Sequence, residues 1–190
     1  MPAINKRAIN YQGLTILELL ITLAIASIVF MFVIPGAGDI LKRSQMVAEL
    51  NDLNAALRYA RFQAIDTHAW ATVCPAEDLK TCDVSDWNQT KIVFADDNFN
   101  DKRDEDETLF RVIEPVNKGF KIEGPRRVIR FYEEGILGSP ASLLICSKDD
   151  RTQFNRGLFI SLQGRVRLSR DENKDGIHER SAGRPIICSS

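Results

Sequence analysis

The sequence predicts an α+β protein: one long N-terminal helix, first membrane-spanning and then amphipathic, packed on antiparallel β-sheet. Three observations carry this. An apolar run of 21 residues extends from Leu14 to Ile34, interrupted by one ionisable side chain, Glu18. From Ile40 to Ala64, apolar and small residues recur at separations of three, four and seven. After His68 the pattern changes to short β-rich runs separated by turn residues. The 190 residues have a formal net charge of -1, which excludes a uniformly basic nucleic-acid binder and a polyacidic tail. A hydrophobic content of 44% is ordinary for a chain that buries a core.

Residues 1–13 contain Lys6 and Arg7 and no acid. The 14–34 run, at about 1.5 Å per helical residue, covers roughly 30 Å, the thickness of a hydrocarbon core. Lys6 and Arg7 place its N-terminal side in the cytoplasm and everything after Pro35 outside. The run is longer than the apolar region of a secretory signal peptide, and no small-x-small cleavage site follows it. A plain anchor leaves Glu18 unexplained, because a carboxylate inside an apolar helix costs a few kcal/mol without a partner.

The amphipathic continuation occupies 35–67. Ile40, Leu41, Val47, Leu50, Leu53, Leu57, Ala60 and Ala64 form the face expected to carry a sheet. The β-rich region, 68–190, is expected to contain strands at 69–73, 91–95, 109–113, 120–122, 128–132, 142–146, 157–162, 166–169 and 185–188. Many short strands after one long helix imply an antiparallel sheet wrapped on that helix.

All four cysteines, Cys74, Cys82, Cys146 and Cys188, follow the span, and an even count outside the cytoplasm suggests two disulfides. Three connectivities are open; Cys74–Cys82 with Cys146–Cys188 is favoured. Zinc is the competing reading, but there is no CxxC pair and only two histidines. No metal site and no cofactor are therefore expected. His68 and His178 lie far apart with no nucleophile motif around them, so no enzyme activity is expected either. Trp70 and Trp87 read as core aromatics.

The segment Gly13-Leu14-Thr15-Ile16-Leu17-Glu18-Leu19-Leu20 resembles the type IV prepilin motif, with Leu14 where phenylalanine is commoner. Pro35 stands where these proteins have a helix-kinking proline. The resemblance implies that a prepilin peptidase cuts after Gly13 and that Leu14 is then N-methylated. It implies too that Glu18 pairs with the N-terminal amine of a neighbouring pilin in a filament. Residues 1–13 are then a leader peptide. The mature chain starts in the bacterial inner membrane, single-pass with a cytoplasmic N-terminus, and moves into a pilus or periplasmic pseudopilus.

Leu57-Arg58-Tyr59-Ala60-Arg61, Val73-Cys74-Pro75, Asp86-Trp87, Ile92-Val93-Phe94 and Gly164-Arg165 together resemble the FimT/GspH branch of pilin-like proteins. That branch contains minor pilins of type IV pili, some of which bind DNA during natural transformation (competence), and minor pseudopilins of type II secretion. Fold does not separate these tasks, so the site must. Gly164-Arg165-Val166-Arg167 resembles the GRxR motif of the DNA-binding members. In an extended segment Arg165 and Arg167 share a face and are spaced for successive phosphates, with Gly164 permitting the turn that presents them. Arg170 completes the expected set. Residues 151–190 hold eight Lys/Arg against four Asp/Glu, a local net of +4. The competing reading is that these arginines are ordinary solvated or ion-paired surface. A GspH-like pseudopilin and a purely structural minor pilin are the alternatives to a DNA-binding, FimT-like one.

Arg126, Arg127 and Arg130 form a second basic cluster, expected to extend the binding surface or to face water. The 96–107 segment, with seven acids against two bases, reads as an acidic loop. Asp171-x-Asn173-x-Asp175-Gly176 matches the first half of a calcium loop, but Ala182 occupies its twelfth position where a bidentate Glu is needed. Turns are the favoured reading of both segments.

Overall fold

The structure, a computed structural model, describes the backbone of residues 15–181 and 183–189, and their side chains except 32–36 and 181. Gly13, Leu14, the rest of the expected 1–13 leader and Ala182 lie outside the described residues. Two compact units divide the chain, residues 1–41 and 42–190.

One helix, α1 (Ile16–Thr67, 52 residues), runs through both. Thr15 caps it: the Glu18 amide donates to Thr15 Oγ1 at 3.2 Å. Thr-x-x-Glu is the capping-box pattern, and an acid in the first turn complements the helix dipole. Glu18 thus occupies the position at which a first-turn acid favours the helix start. Further along, the Thr22 and Ser27 hydroxyls donate back to the carbonyls of Leu19 and Ala24, at 2.9 and 2.8 Å. These bonds satisfy two polar groups inside an otherwise apolar stretch. Large apolar side chains from Ile16 to Met31 are exposed. Among the described residues no helix is long and apolar enough to cross a membrane. Residue 14 and the side chains of 32–34, which complete the expected span, are not among those described. The helix continues unbroken through position 35.

In the second unit, Met46, Leu50, Leu53, Ala56, Leu57, Ala60 and Ala64 are the buried stripe of α1. Ile40, Leu41 and Val47, expected on that stripe, are exposed. Position 46 lies four residues before Leu50 on the axis of the stripe, and the long Met46 side chain fills the place assigned to Val47.

Among the described residues ten strands follow: β1 (Ala71–Pro75), β2 (Lys91–Ala95), β3 (Leu109–Ile113), β4 (Phe120–Glu123), β5 (Ile129–Phe131), β6 (Ala141–Ser147), β7 (Arg156–Ile160), β8 (Val166–Leu168), β9 (Glu179–Ser181) and β10 (Arg184–Pro185). They form two four-stranded antiparallel sheets, β3-β2-β1-β5 and β4-β6-β7-β8, and a small β9–β10 ribbon. Both sheets send side chains to the helix stripe: Val73, Val93, Ile129 and Phe131 from the first, Phe120, Ile122, Leu143, Ile145, Leu158 and Ile160 from the second.

Strands β1 and β2 are buried at every position, so they do not alternate. Their outward residues Cys74, Ile92 and Phe94 form a second apolar cluster with Ala76, roofed by Leu79 and Cys82 of the following loop. A third cluster places Leu144, Cys146 and Ile186 beside Phe159 and Cys188. Disulfides Cys74–Cys82 and Cys146–Cys188 sit in these two satellite clusters, joining positions 8 and 42 residues apart. Each covalently fastens a covering segment that has little core of its own.

Several strand bounds differ from those expected. The first strand begins at Ala71, not 69, because the helix ends in a left-handed residue, His68 (φ 51°), and Trp70 is drawn into an aromatic group with Tyr132 and Phe99. The strand expected at 157–162 stops at Ile160, where a turn begins. In place of a strand at 185–188 there is the β9–β10 ribbon, followed by a tail held through Ile186 and Cys188. Side-chain burial and a disulfide hold this tail, so it needs no ladder.

Candidate basic surface

The turn between β7 and β8 is built on Gly164. Its amide donates to the Ser161 carbonyl (2.9 Å), and the Ser161 amide donates to that of Arg165 (3.1 Å). This is a three-residue hairpin loop with a left-handed residue at its end, and Gly164 has φ 71°. The position also needs glycine for space: a Cβ here would meet the Gly135 carbonyl oxygen at 1.9 Å. That oxygen already accepts a hydrogen bond from Arg61 Nε of α1 at 3.0 Å. The Leu137 amide donates to the Leu162 carbonyl at 2.8 Å. Helix, 132–137 turn and hairpin tip are thereby locked together, and Arg165 projects from the lock.

Arg165, Arg167 and Arg170 are all exposed, but their surroundings differ. Arg167 lies over the ring of its cross-strand neighbour Phe159, at 5.2 Å, and donates to the Arg180 carbonyl at 2.8 Å. Stacking and a main-chain acceptor thus hold its guanidinium in place. Arg165 has no ion-pair or hydrogen-bond partner for its side chain among the described residues, and neither has Arg170. The expected pair therefore consists of one free and one tethered guanidinium.

Two arginines of α1 join them. One surface depression, of about 580 Å³, is bordered by Arg58, Arg61, Phe62, Ile65, Gly164 and Arg165. A second, sharing Arg58 and Arg165, continues past Phe159 to Arg167 and Arg170. Among the described residues no acid lines either. Arg58 is aligned by the Asn54 side-chain oxygen at 3.0 Å, a neutral partner that leaves its charge uncompensated. Arg58 and Arg61 were not among the expected site residues. Their spacing of three places them on adjacent turns of one helix side, outside the apolar stripe.

The second basic cluster divides, with Arg127 and Arg130 on one depression and Arg126 on another. Arg130 is a structural cation: it pairs with Asp96, which is fully buried, and with Asp101 (2.5 Å), donates to Thr72 Oγ1 (3.0 Å) and faces the Trp70 and Phe99 rings. Arg126 and Arg127 are exposed. They border separate depressions.

Both acidic segments are turns. In the first, the Asn100 amide donates to Asp96 and the Asp97 and Asp104 amides to Glu107. Arg130 supplies the positive charge for Asp96 and Asp101. In the second, carboxylate oxygens of Asp171, Asp175 and Glu179 come within 4.8 Å of one another. Each accepts a main-chain amide, from Asp175 and Gly176, from Ile177, and from Glu172 respectively. His178, next to this turn, meets Ser169, and burial together with nearby Arg156 lowers its pKa.

A family model described as Type II transport protein GspH matches residues 49–172, which include both helix arginines, the hairpin and Arg170. Among solved structures, the fold is similar to the type IV minor pilin FimU of Pseudomonas aeruginosa strain PAO1. In one crystal form the TM-score is 0.54 at 18% identity, over 69% of this chain and 92% of that one. For the minor pseudopilin EpsH from the Type 2 Secretion System of Vibrio cholerae the TM-score is 0.45 at 12% identity, over 64% of this chain and 94% of that one. A search of curated proteins finds no match. The FimU likeness supports an α+β, pilin-like fold. With a family match across well over half of its length, the chain belongs to the family of the type II transport protein GspH.

Proposed function

We propose that the protein is a FimT-like minor pilin that enters a type IV pilus and contacts DNA, without reading its sequence, through the surface around Arg165. One observation carries this reading: Arg165, Arg58 and Arg61 border a depression with no lining acid, and Arg165 has no partner of its own among the described residues. A few guanidiniums on one face suit phosphate contact, which is salt-dependent and carries no base information. So few contacts bind weakly per subunit, and several subunits on one filament would supply avidity.

The test is a mobility shift of the full chain in detergent with a random-sequence duplex, at several salt concentrations. Removing one phosphate contact lowers the slope of log affinity against log salt by about 0.9. Arg165→Gln is expected to lower the slope by about this amount. Arg167→Gln is expected to lower it less, because Phe159 and Arg180 tether that guanidinium. Unchanged binding in an Arg58→Gln, Arg165→Gln double variant would refute the reading. The family match favours a second reading, a minor pseudopilin of type II secretion that contacts other pseudopilins. Absence of DNA binding by the wild type, together with secretion genes beside its own, would select that role.

In this proposal residues 1–13 are removed by a prepilin peptidase between Gly13 and Leu14, Leu14 is N-methylated, and 14–34 holds the subunit in the inner membrane until assembly. The exposed apolar side chains from Ile16 to Met31 support an apolar environment, lipid or the filament interior. Glu18 would pair there with a neighbouring subunit's amine. Glu18→Ala is expected to insert into the membrane but to enter filaments poorly, read by the ratio of membrane-bound to sheared-filament protein. Because Glu18 also sits in the capping box, Glu18→Gln separates the roles: it retains a capping side chain and should still fail to assemble.

A further inference from the structure

The depression between α1 and the β7–β8 turn is apolar as well as basic. Phe62 and Ile65 are 57% and 44% exposed inside the border formed by Arg58, Arg61 and Arg165. Phosphates alone leave those side chains in water. A better complement is a segment that is acidic around an apolar tip, and the chain itself carries one. Its 96–107 loop holds seven acids against two bases. Phe99 in that loop is 45% exposed, with one face against Trp70. Its φ of 63° is a left-handed conformation rarely adopted by a bulky residue. Arg130 neutralises Asp96 and Asp101, whereas the exposed Asp97, Glu105 and Asp106 have no ion-pair partner among the described residues.

We propose that the 96–107 loop of one copy docks, Phe99 foremost, onto the Arg58–Arg61–Arg165 depression of a second copy. Phe99 would cover Phe62 and Ile65, and the unpaired carboxylates would meet the bordering guanidiniums. Loop and depression are different surfaces of the same chain, so the contact is heterologous and propagates in one direction, as a filament requires. The contact does not rest on DNA binding, but it uses Arg58 and Arg165, so a polyanion and a neighbouring loop compete for one surface.

The test uses the full chain in detergent without DNA, carrying a benzoylphenylalanine photo-crosslinker at position 99 and mixed with ¹⁵N-labelled protein. Mass spectrometry then separates links between copies from links within one. The expected result is links from position 99 of one copy to 58–66 or 162–168 of the other. Their yield should fall by up to about fivefold in Arg165→Glu, the upper end of the exposed ion-pair scale, and recover when Asp97→Arg is introduced in the same chain. A second probe at Phe62 guards against disturbance of the strained loop and should link to 97–106. No links between copies from either probe, links mapping elsewhere, or yields indifferent to charge reversal would each overturn the proposal.

Discussion

Gly164→Ala tests whether the helix, the 132–137 turn and the β7–β8 turn are locked as described. The methyl would be 1.9 Å from the Gly135 carbonyl oxygen and 2.8 Å from Arg61 Nε. The two turns must then separate by about an ångström, which disrupts the Arg61–Gly135 and Leu137–Leu162 hydrogen bonds, each worth about 1 kcal/mol. Holding alanine at φ 71° adds about 1–2 kcal/mol. Restricting the unfolded chain returns about 0.4–1 kcal/mol. The expected net loss is about 2–4 kcal/mol, or roughly 5–15 °C in Tm for a unit of this size. Gly176→Ala is the control: its φ is 88°, but no atom lies within 4 Å of an added Cβ, so it carries the backbone term alone. Thermal unfolding followed by near-ultraviolet circular dichroism, in one detergent and buffer, compares the two. Equal Tm losses would refute the lock, and a stabilised Gly164→Ala would refute the hairpin geometry itself.

Two further substitutions probe buried charge. Arg130→Met leaves the fully buried Asp96 carboxylate without its cation and should cost about 3–5 kcal/mol by denaturant unfolding. Adding Asp96→Asn should recover most of it, because Thr72 and the Asn100 amide still bond that position; a loss below 1 kcal/mol in the single variant would show that the pair is not structural. Lys91 is buried with its Nζ on the carbonyls of Trp87 and Gln89, and burial lowers its pKa to about 8. Between pH 8 and 10.5 the unfolded chain retains a proton that the folded chain has lost, so the Lys91 contribution to stability rises with pH, by on the order of 3 kcal/mol. Lys91→Met should lack that part of the rise, and parallel stability–pH curves for the two proteins would dismiss it.

Sequence patterns located the elements that carry their own apolar signal. The runs 91–95 and 109–113 match β2 and β3 at both ends, since apolar cores flanked by polar turns define each. The favoured cysteine pairs are the ones formed, one joining positions eight residues apart and the other fastening the tail to β6. The β9–β10 ribbon escaped notice because Glu179, Arg180, Arg184 and Pro185 offer no hydrophobic period. Its neighbourhood is organised by polar bonds, such as the Glu172 amide on the Glu179 carboxylate. The union of Arg58 and Arg61 with Arg165 escaped for another reason: the contact spans about a hundred residues of chain and depends on how a turn seats on a helix. Periodicity reports a residue's face, not which distant element arrives beside it.

Charge shows the same division, and it bears on function. The net charge of -1 conceals groups that folding treats in opposite ways. Asp96 is fully buried and Arg130 half-buried against it, so the carboxylate is held by the need for a compensating cation. Arg167 is held by the face of Phe159 and the Arg180 carbonyl. Spacing alone treats Arg165 and Arg167 as equivalent; what stands across the strand separates them. Among the described residues Arg165 has an unpaired side chain and Arg58 is held by a neutral amide oxygen, so both remain available for an external anion. The carboxylates of Asp97, Glu105 and Asp106 likewise remain after Arg130 has compensated Asp96 and Asp101. A residual cationic surface with an apolar floor, and a residual acidic loop with an aromatic tip, are complementary. Whether phosphate or the neighbouring loop wins that surface depends on the floor: phosphate neutralises the arginines but leaves Phe62 and Ile65 wet, whereas the loop does both, so DNA must gain through avidity what it lacks in apolar contact.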